Sequence, residues 1–137
     1  MAQNSINALN RGQNMNKKNT KKLYNDFPNL YKQHKLSIME SCMPWGFDCG
    51  DGWFNLIYDL SKKISDIAPE CEVVQVKEKF ATLRFYVNGY NDEIDKLINE
   101  AEELSGRTCE ICGDTETAKI RGDGWLSTLC DKCAMIK

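Results

Sequence analysis

The stretch "CEICGDTETAKIRGDGWLSTLCDKC" constrains this chain more than any other. It sets two Cys-x-x-Cys pairs, Cys109 with Cys112 and Cys130 with Cys133, 17 residues apart. Each pair presents two thiolates from one tight turn, and two such turns complete a tetrahedral zinc site. A single pair would be ambiguous with a redox motif, whereas two at this spacing are a strong metal signal. The spacing leaves an iron–sulfur cluster and unligated thiols open as alternatives. Four sulfur ligands leave no position for water, so a Zn2+ ion here is structural rather than catalytic. Gly113, just after the first pair, suits a knuckle whose amides point back at the sulfurs. "TAKIRG" and "GWLSTL" read as two short strands joined by a Gly-Asp-Gly-Trp turn. Residues 107–137 are therefore expected to form a zinc ribbon, too small to hold a core without its metal.

The whole chain, 137 residues of which 42% are hydrophobic, has room for one ordinary domain and a tail. No apolar run approaches the ~20 residues that span a bilayer. The N-terminal "MAQNSINALNRGQNMNKKNTKK" lacks the apolar centre of a secretory signal. The seven cysteines are then expected in a reducing, cytoplasmic setting, which favours metal or structural thiols over disulfides. The net charge of −2 conceals an asymmetry: residues 1–22 carry Arg11, Lys17, Lys18, Lys21 and Lys22 with no acid, or +5, leaving −7 for the body. We read 1–22 as a disordered basic tail, solubilising rather than a nucleic-acid arm.

Residues 23–106 read as an α+β core. Pro28 rules out one long helix through "LYNDFPNLYKQHKLSIME", leaving a short helical turn and a loop. Trp53, Leu56, Ile57, Leu60, Ile64 and Ile67 follow helical steps, with Asp51 at the N-cap position and Pro69 beyond the end. The period changes to two in "CEVVQVKEKFATLRFYVN", which predicts a hairpin turning near residues 78–81. Leu83, Phe85 and Val87 are expected on its buried face with Val74, Val76 and Phe80. Ile94, Leu97, Ile98, Ala101 and Leu104 stripe a second helix, closed by Gly106. Two amphipathic helices on one face of a small antiparallel sheet, followed by a C-terminal four-cysteine zinc ribbon, is the simplest packing.

Gly-Asp-Gly-Trp occurs twice, leading into a helix at 50–53 and into a ribbon strand at 122–125. The flanks share little, and each residue has a local reason to be there, so turn convergence is the favoured reading. The sharper reading has Trp53 and Trp125 flanking one surface patch, with Asp51 and Asp123 as its polar groups. On the outward hairpin face, Lys77, Lys79, Arg84 and Tyr86 interleave cations with a ring, as a nucleic-acid surface would; an ordinary solvated face looks much the same. Cys42, Cys49, Cys71 and His34 are too irregularly spaced for a second metal site and read as packing or idle side chains. The acidic run Asp92, Glu93, Asp95, Glu100, Glu102 and Glu103 reads as a solvated helix face. No phosphate-cradling loop, nucleophile elbow or histidine-based pair is present, so a non-enzymatic role is expected.

In order, "CGDGWFNLI", "VVQVKEKFATLRFYV", "AEELSGRTCEICG" and "GWLSTLCDKCA" resemble a family of small zinc-ribbon proteins of bacteriophages and prophages, over residues 45–134. Cys109, Cys112, Cys130 and Cys133 match its zinc block, and Trp53, Lys77, Lys79, Arg84 and Trp125 match its other recurring positions. Ala81 departs from it, standing where the family's "KFGTLRF" has glycine. The resemblance implies a phage context, hence a host cytoplasm, and supplies no mechanism. Together with the acidic body, it points to an accessory protein that docks onto a host or viral macromolecule, more readily a protein than a nucleic acid, and to an inhibitor of host machinery or defence. The alternative is a nucleic-acid-binding module using tail, hairpin face and ribbon.

Overall fold

In the computed structural model, residues 15–37, 39–89 and 91–136 are described. The chain is α+β. Helix α1 (Lys17–Asp26) leads through short 3-10 turns to α2 (Phe54–Ile67). A hairpin of β1 (Glu72–Lys79) and β2 (Thr82–Asn88) follows, then α3 (Asp92–Ser105). The C-terminal ribbon holds β3 (Lys119–Arg121), β4 (Ser127–Leu129) and α4 (Asp131–Ile136). Both sheets are two-stranded and antiparallel.

Helix α1 corrects the boundary expected at residue 22. It begins at Lys17, capped by the Asn16 side chain, which accepts the Asn19 amide hydrogen at 2.8 Å. Met15 is buried in the core and donates its amide hydrogen to the Phe47 carbonyl at 3.0 Å. Four of the five cations assigned to the tail, Lys17, Lys18, Lys21 and Lys22, therefore lie on an ordered helix, where Lys22 pairs with Asp26 at 3.0 Å. The disorder expected for residues 1–14 lies outside the described residues. Helix α1 ends at Asp26 with Phe27 as its C-cap, because a residue before Pro28 is pushed out of helical geometry.

The core gathers Leu23, Tyr31, Phe47, Trp53, Ile57 and Ile64 with the inner face of the hairpin. Leu83, Phe85 and Val87 are buried as their alternation predicts. On β1 the buried residues are Val73 and Val76, not Val74: a bulge between Val73 and Gln75 slips the alternation by one. Phe80 is 69% exposed rather than in the core, because it sits in the turn itself. Phe80 and Ala81 take φ of 53° and 75°, as a two-residue hairpin matched to strand twist requires.

The open edge of β1 is covered by the segments that precede it. The Leu30 carbonyl accepts from Val73 N at 2.8 Å; Asp48 N donates to the Val76 carbonyl at 3.0 Å, and the Asp48 carbonyl accepts from Glu78 N at 2.9 Å. This leaves few unpaired groups for another chain to pair with. On α3, Ile94, Ile98, Ala101 and Ser105 form the buried stripe, while Leu104 turns outward.

Candidate metal centre and its attachment to the core

The sulfurs of Cys109, Cys112, Cys130 and Cys133 all lie within 4.8 Å of one another, so one metal ion can be held between them. Among the described residues no other group of three or more metal-ligating side chains comes together in this way. Cys42 is exposed, Cys49 and Cys71 are buried separately, and the Cys71 thiol donates to the Asn88 carbonyl at 3.1 Å. His34 stacks on Tyr24 with ring centroids 4.0 Å apart.

Two local turns aim the four sulfurs. In the first, Cys109 N donates to the Asp114 carbonyl at 2.8 Å, and Gly113 N donates to the Cys109 carbonyl at 2.9 Å. Gly113 supplies the φ of +86° that closes this turn; its own amide serves the backbone, and the Asp114 amide is the one in this knuckle that points back at a sulfur, that of Cys112. The second pair straddles the start of α4. Cys130 stands where an N-cap residue would, and its sulfur accepts the Cys133 amide hydrogen at 3.4 Å. That donor favours the thiolate and lowers the Cys130 pKa to about 7. Cys109, Cys130 and Cys133 are buried, and Cys112 is exposed.

The ribbon's own clasp is Arg121. Its Nε donates to the Leu129 carbonyl at 2.8 Å, and Nη2 reaches Asp131 at 2.6 Å. The strand expectation for "TAKIRG" and "GWLSTL" matches β3 and β4, joined through the second Gly-Asp-Gly-Trp.

The first Gly-Asp-Gly-Trp has a different task. Gly50 N donates to the Glu110 carboxylate at 2.8 Å, and Gly52 N to the Glu110 carbonyl at 2.7 Å. Trp53 Nε1 donates to the Thr108 carbonyl at 2.8 Å. A β-carbon on either glycine would collide with the backbone of Cys109 or Glu110. The tetrapeptide is thus a cradle for the first cysteine turn, and it ties the ribbon to the core. A second tie runs from Thr128 Oγ1 to the Ala81 carbonyl at 2.6 Å. Glu110 N bonds the Thr128 carbonyl at 3.0 Å, joining the two ties.

These contacts correct three expectations. Trp53, taken as a binding-surface residue, is fully buried, because its ring fills the core and its indole N–H is used within the chain. Trp125 is 62% exposed, so the two tryptophans do not share one surface patch. Asp51 does not cap α2, whose N-cap is Trp53; its carboxylate accepts from Asn16 N at 2.8 Å and Asn19 Nδ2 at 3.2 Å, anchoring the start of α1.

The hairpin's outward residues are partly answered by acids. Lys77 and Arg84 are cross-strand neighbours. Burial raises the Asp48 carboxyl pKa against the opposing pull of Lys77. Burial likewise raises that of Glu102, opposed by the Phe85 amide and by Arg84. Lys79 lies 5.6 Å from the centroid of the Phe80 ring, and Tyr86 is exposed. What the sequence did not signal is the set Gly50, Gly52 and Glu110, whose glycines read as ordinary turn formers. Among the described residues, no helix is long and apolar enough to cross a membrane. No family model, curated protein or solved structure matches the chain.

Proposed function

We propose that the chain is a non-enzymatic zinc-binding accessory protein of the phage type it resembles, which docks through its ribbon onto a protein of the host or virus. The observation that carries the reading is the four-sulfur cluster. A zinc about 2.3 Å from four tetrahedral sulfurs separates them by about 3.8 Å, and Cys112 Sγ lies 3.6 Å from Cys130 Sγ. Four sulfurs close the coordination sphere, so the metal's task is to hold the ribbon in shape.

Support for docking comes from what the ribbon leaves outside. Ile111, Ile120, Trp125 and Leu126 are exposed on this short segment, and exposed apolar side chains of this kind are what protein interfaces use. The acids near Lys77 and Arg84 weaken the hairpin as a phosphate-binding face. A host cytoplasm and an inhibitory effect on host machinery or defence belong to the same proposal and rest on the resemblance.

The test is recovery of partners from host lysate by the zinc-loaded protein and by Trp125→Ala, with and without nuclease. A stoichiometric protein that survives nuclease, and that the variant loses, is the expected result. Recovery of nucleic acid whose binding falls steeply with salt would replace this reading with a nucleic-acid module.

A further inference from the structure

A cleft of about 700 Å³ opens between α1 and the turn at 44–47, away from the ribbon. Its walls include Trp45, Tyr24, His34 and Phe47 together with Lys17 and Lys21, and none of the described residues lining it is acidic. Trp45 is 66% exposed, although it adjoins a core that buries Met43 and Phe47 completely. Gly46 follows it at φ +86° and turns the chain back to Phe47. Tyr24 is held in place, donating its hydroxyl to the Met43 carbonyl at 2.9 Å, and lies nearly parallel to His34, at 11°. The nearest cation along α1, Lys22, is committed to Asp26, whereas no ion pair among the described residues engages Lys17 or Lys21.

We infer that this cleft binds a mononucleotide, its base against Trp45 and the Tyr24–His34 pair and its phosphate on Lys17 and Lys21. The Tyr24–His34 pair, held by stacking and by the Tyr24 hydroxyl bond, and the exposed Trp45 ring offer aromatic faces for a planar base, and stacking on an aromatic face tolerates any base. Two lysines four residues apart on a helix stand on one side of it and can share a single anion. The lining is positive although the chain as a whole is negative, so the charge selects an anionic occupant. The volume of about 700 Å³ falls in the range of small-molecule sites. Asn25, also on the wall, adds an amide that can hydrogen-bond a base edge.

The test is titration of the full-length, zinc-loaded protein with adenosine monophosphate, adenosine and inorganic phosphate, followed by the Trp45 indole and His34 ring signals in NMR spectra. Saturable shifts with adenosine monophosphate are expected, with adenosine at least about tenfold weaker. Lys17→Gln with Lys21→Gln should weaken binding by about tenfold or more, and Trp45→Ala should abolish it. These side chains are outside the core, so unchanged spectra elsewhere will show that the variants fold. Absence of saturation up to about 5 mM overturns the inference. So does equal binding of adenosine or phosphate, or binding of an oligonucleotide where the mononucleotide fails.

Discussion

Gly52 donates its amide hydrogen to the Glu110 carbonyl at 2.7 Å, across a gap that leaves no room for a side chain. This contact places the first cysteine turn on the core, 57 residues on in sequence from the glycine that seats Cys109. The ribbon is consequently not an appendage. Its metal site and the entry to α2 share one set of backbone bonds.

Gly52→Ala should therefore cost about 3 kcal/mol, because the new methyl group meets backbone that cannot yield. The corresponding glycine of the other copy, Gly124, has nothing within 4 Å of an added β-carbon, and Gly124→Ala should change stability by no more than about 0.5 kcal/mol. Urea melts of both zinc-loaded variants make the comparison. Equal effects would mean that the two turns do the same work.

Ala81→Gly should stabilise the protein by about 0.5–1 kcal/mol, since Ala81 holds φ of 75° where glycine is unstrained. Thermal melting is expected to rise by roughly 3 °C. A fall would show that the buried methyl group contributes more than the left-handed backbone costs.

Removing the metal proposed to sit among the four cysteines should loosen more than the ribbon. Thr128 bonds the hairpin turn at Ala81 and Trp53 bonds Thr108, so a chelator is expected to raise amide exchange at Leu83 and Gly52 as well as in residues 109–133. Exchange confined to the ribbon would show that the ties survive without metal.

His34 should titrate below an ordinary histidine. Burial beside Tyr24 disfavours its charged form, and Lys35 adds to the effect. With the folded value below the unfolded one, this contribution is present above the ordinary imidazole pKa and is lost as pH falls toward the folded value. As the only histidine, it can be followed without assignment by proton NMR, and Lys35→Gln should move it upward. A value at or above about 6.5 would contradict the packing.

What the sequence made legible follows the range of each interaction. The cysteine spacing and the alternation of Leu83, Phe85 and Val87 are local patterns, and both appear in the structure as read. Val74 was misplaced because one bulge inverts a period of two without changing composition. Asp51 looked like a cap for the helix beside it, yet its partner is Asn16, 35 residues away. Residues 17–22 read as a polar tail because their hydrophobic anchors, Met15 and Leu23, flank them rather than punctuate them. Trp53 and Trp125 sit in identical tetrapeptides, and only the chain that folds back over the first distinguishes a buried ring from an exposed one.

The most direct measurement is zinc-edge X-ray absorption on the full-length protein, with metal stoichiometry taken on the same sample. One zinc per chain surrounded by four sulfurs at about 2.3 Å is the expected result. Nitrogen or oxygen in the first shell, fewer than four sulfurs, or iron in place of zinc would contradict a closed four-cysteine zinc centre.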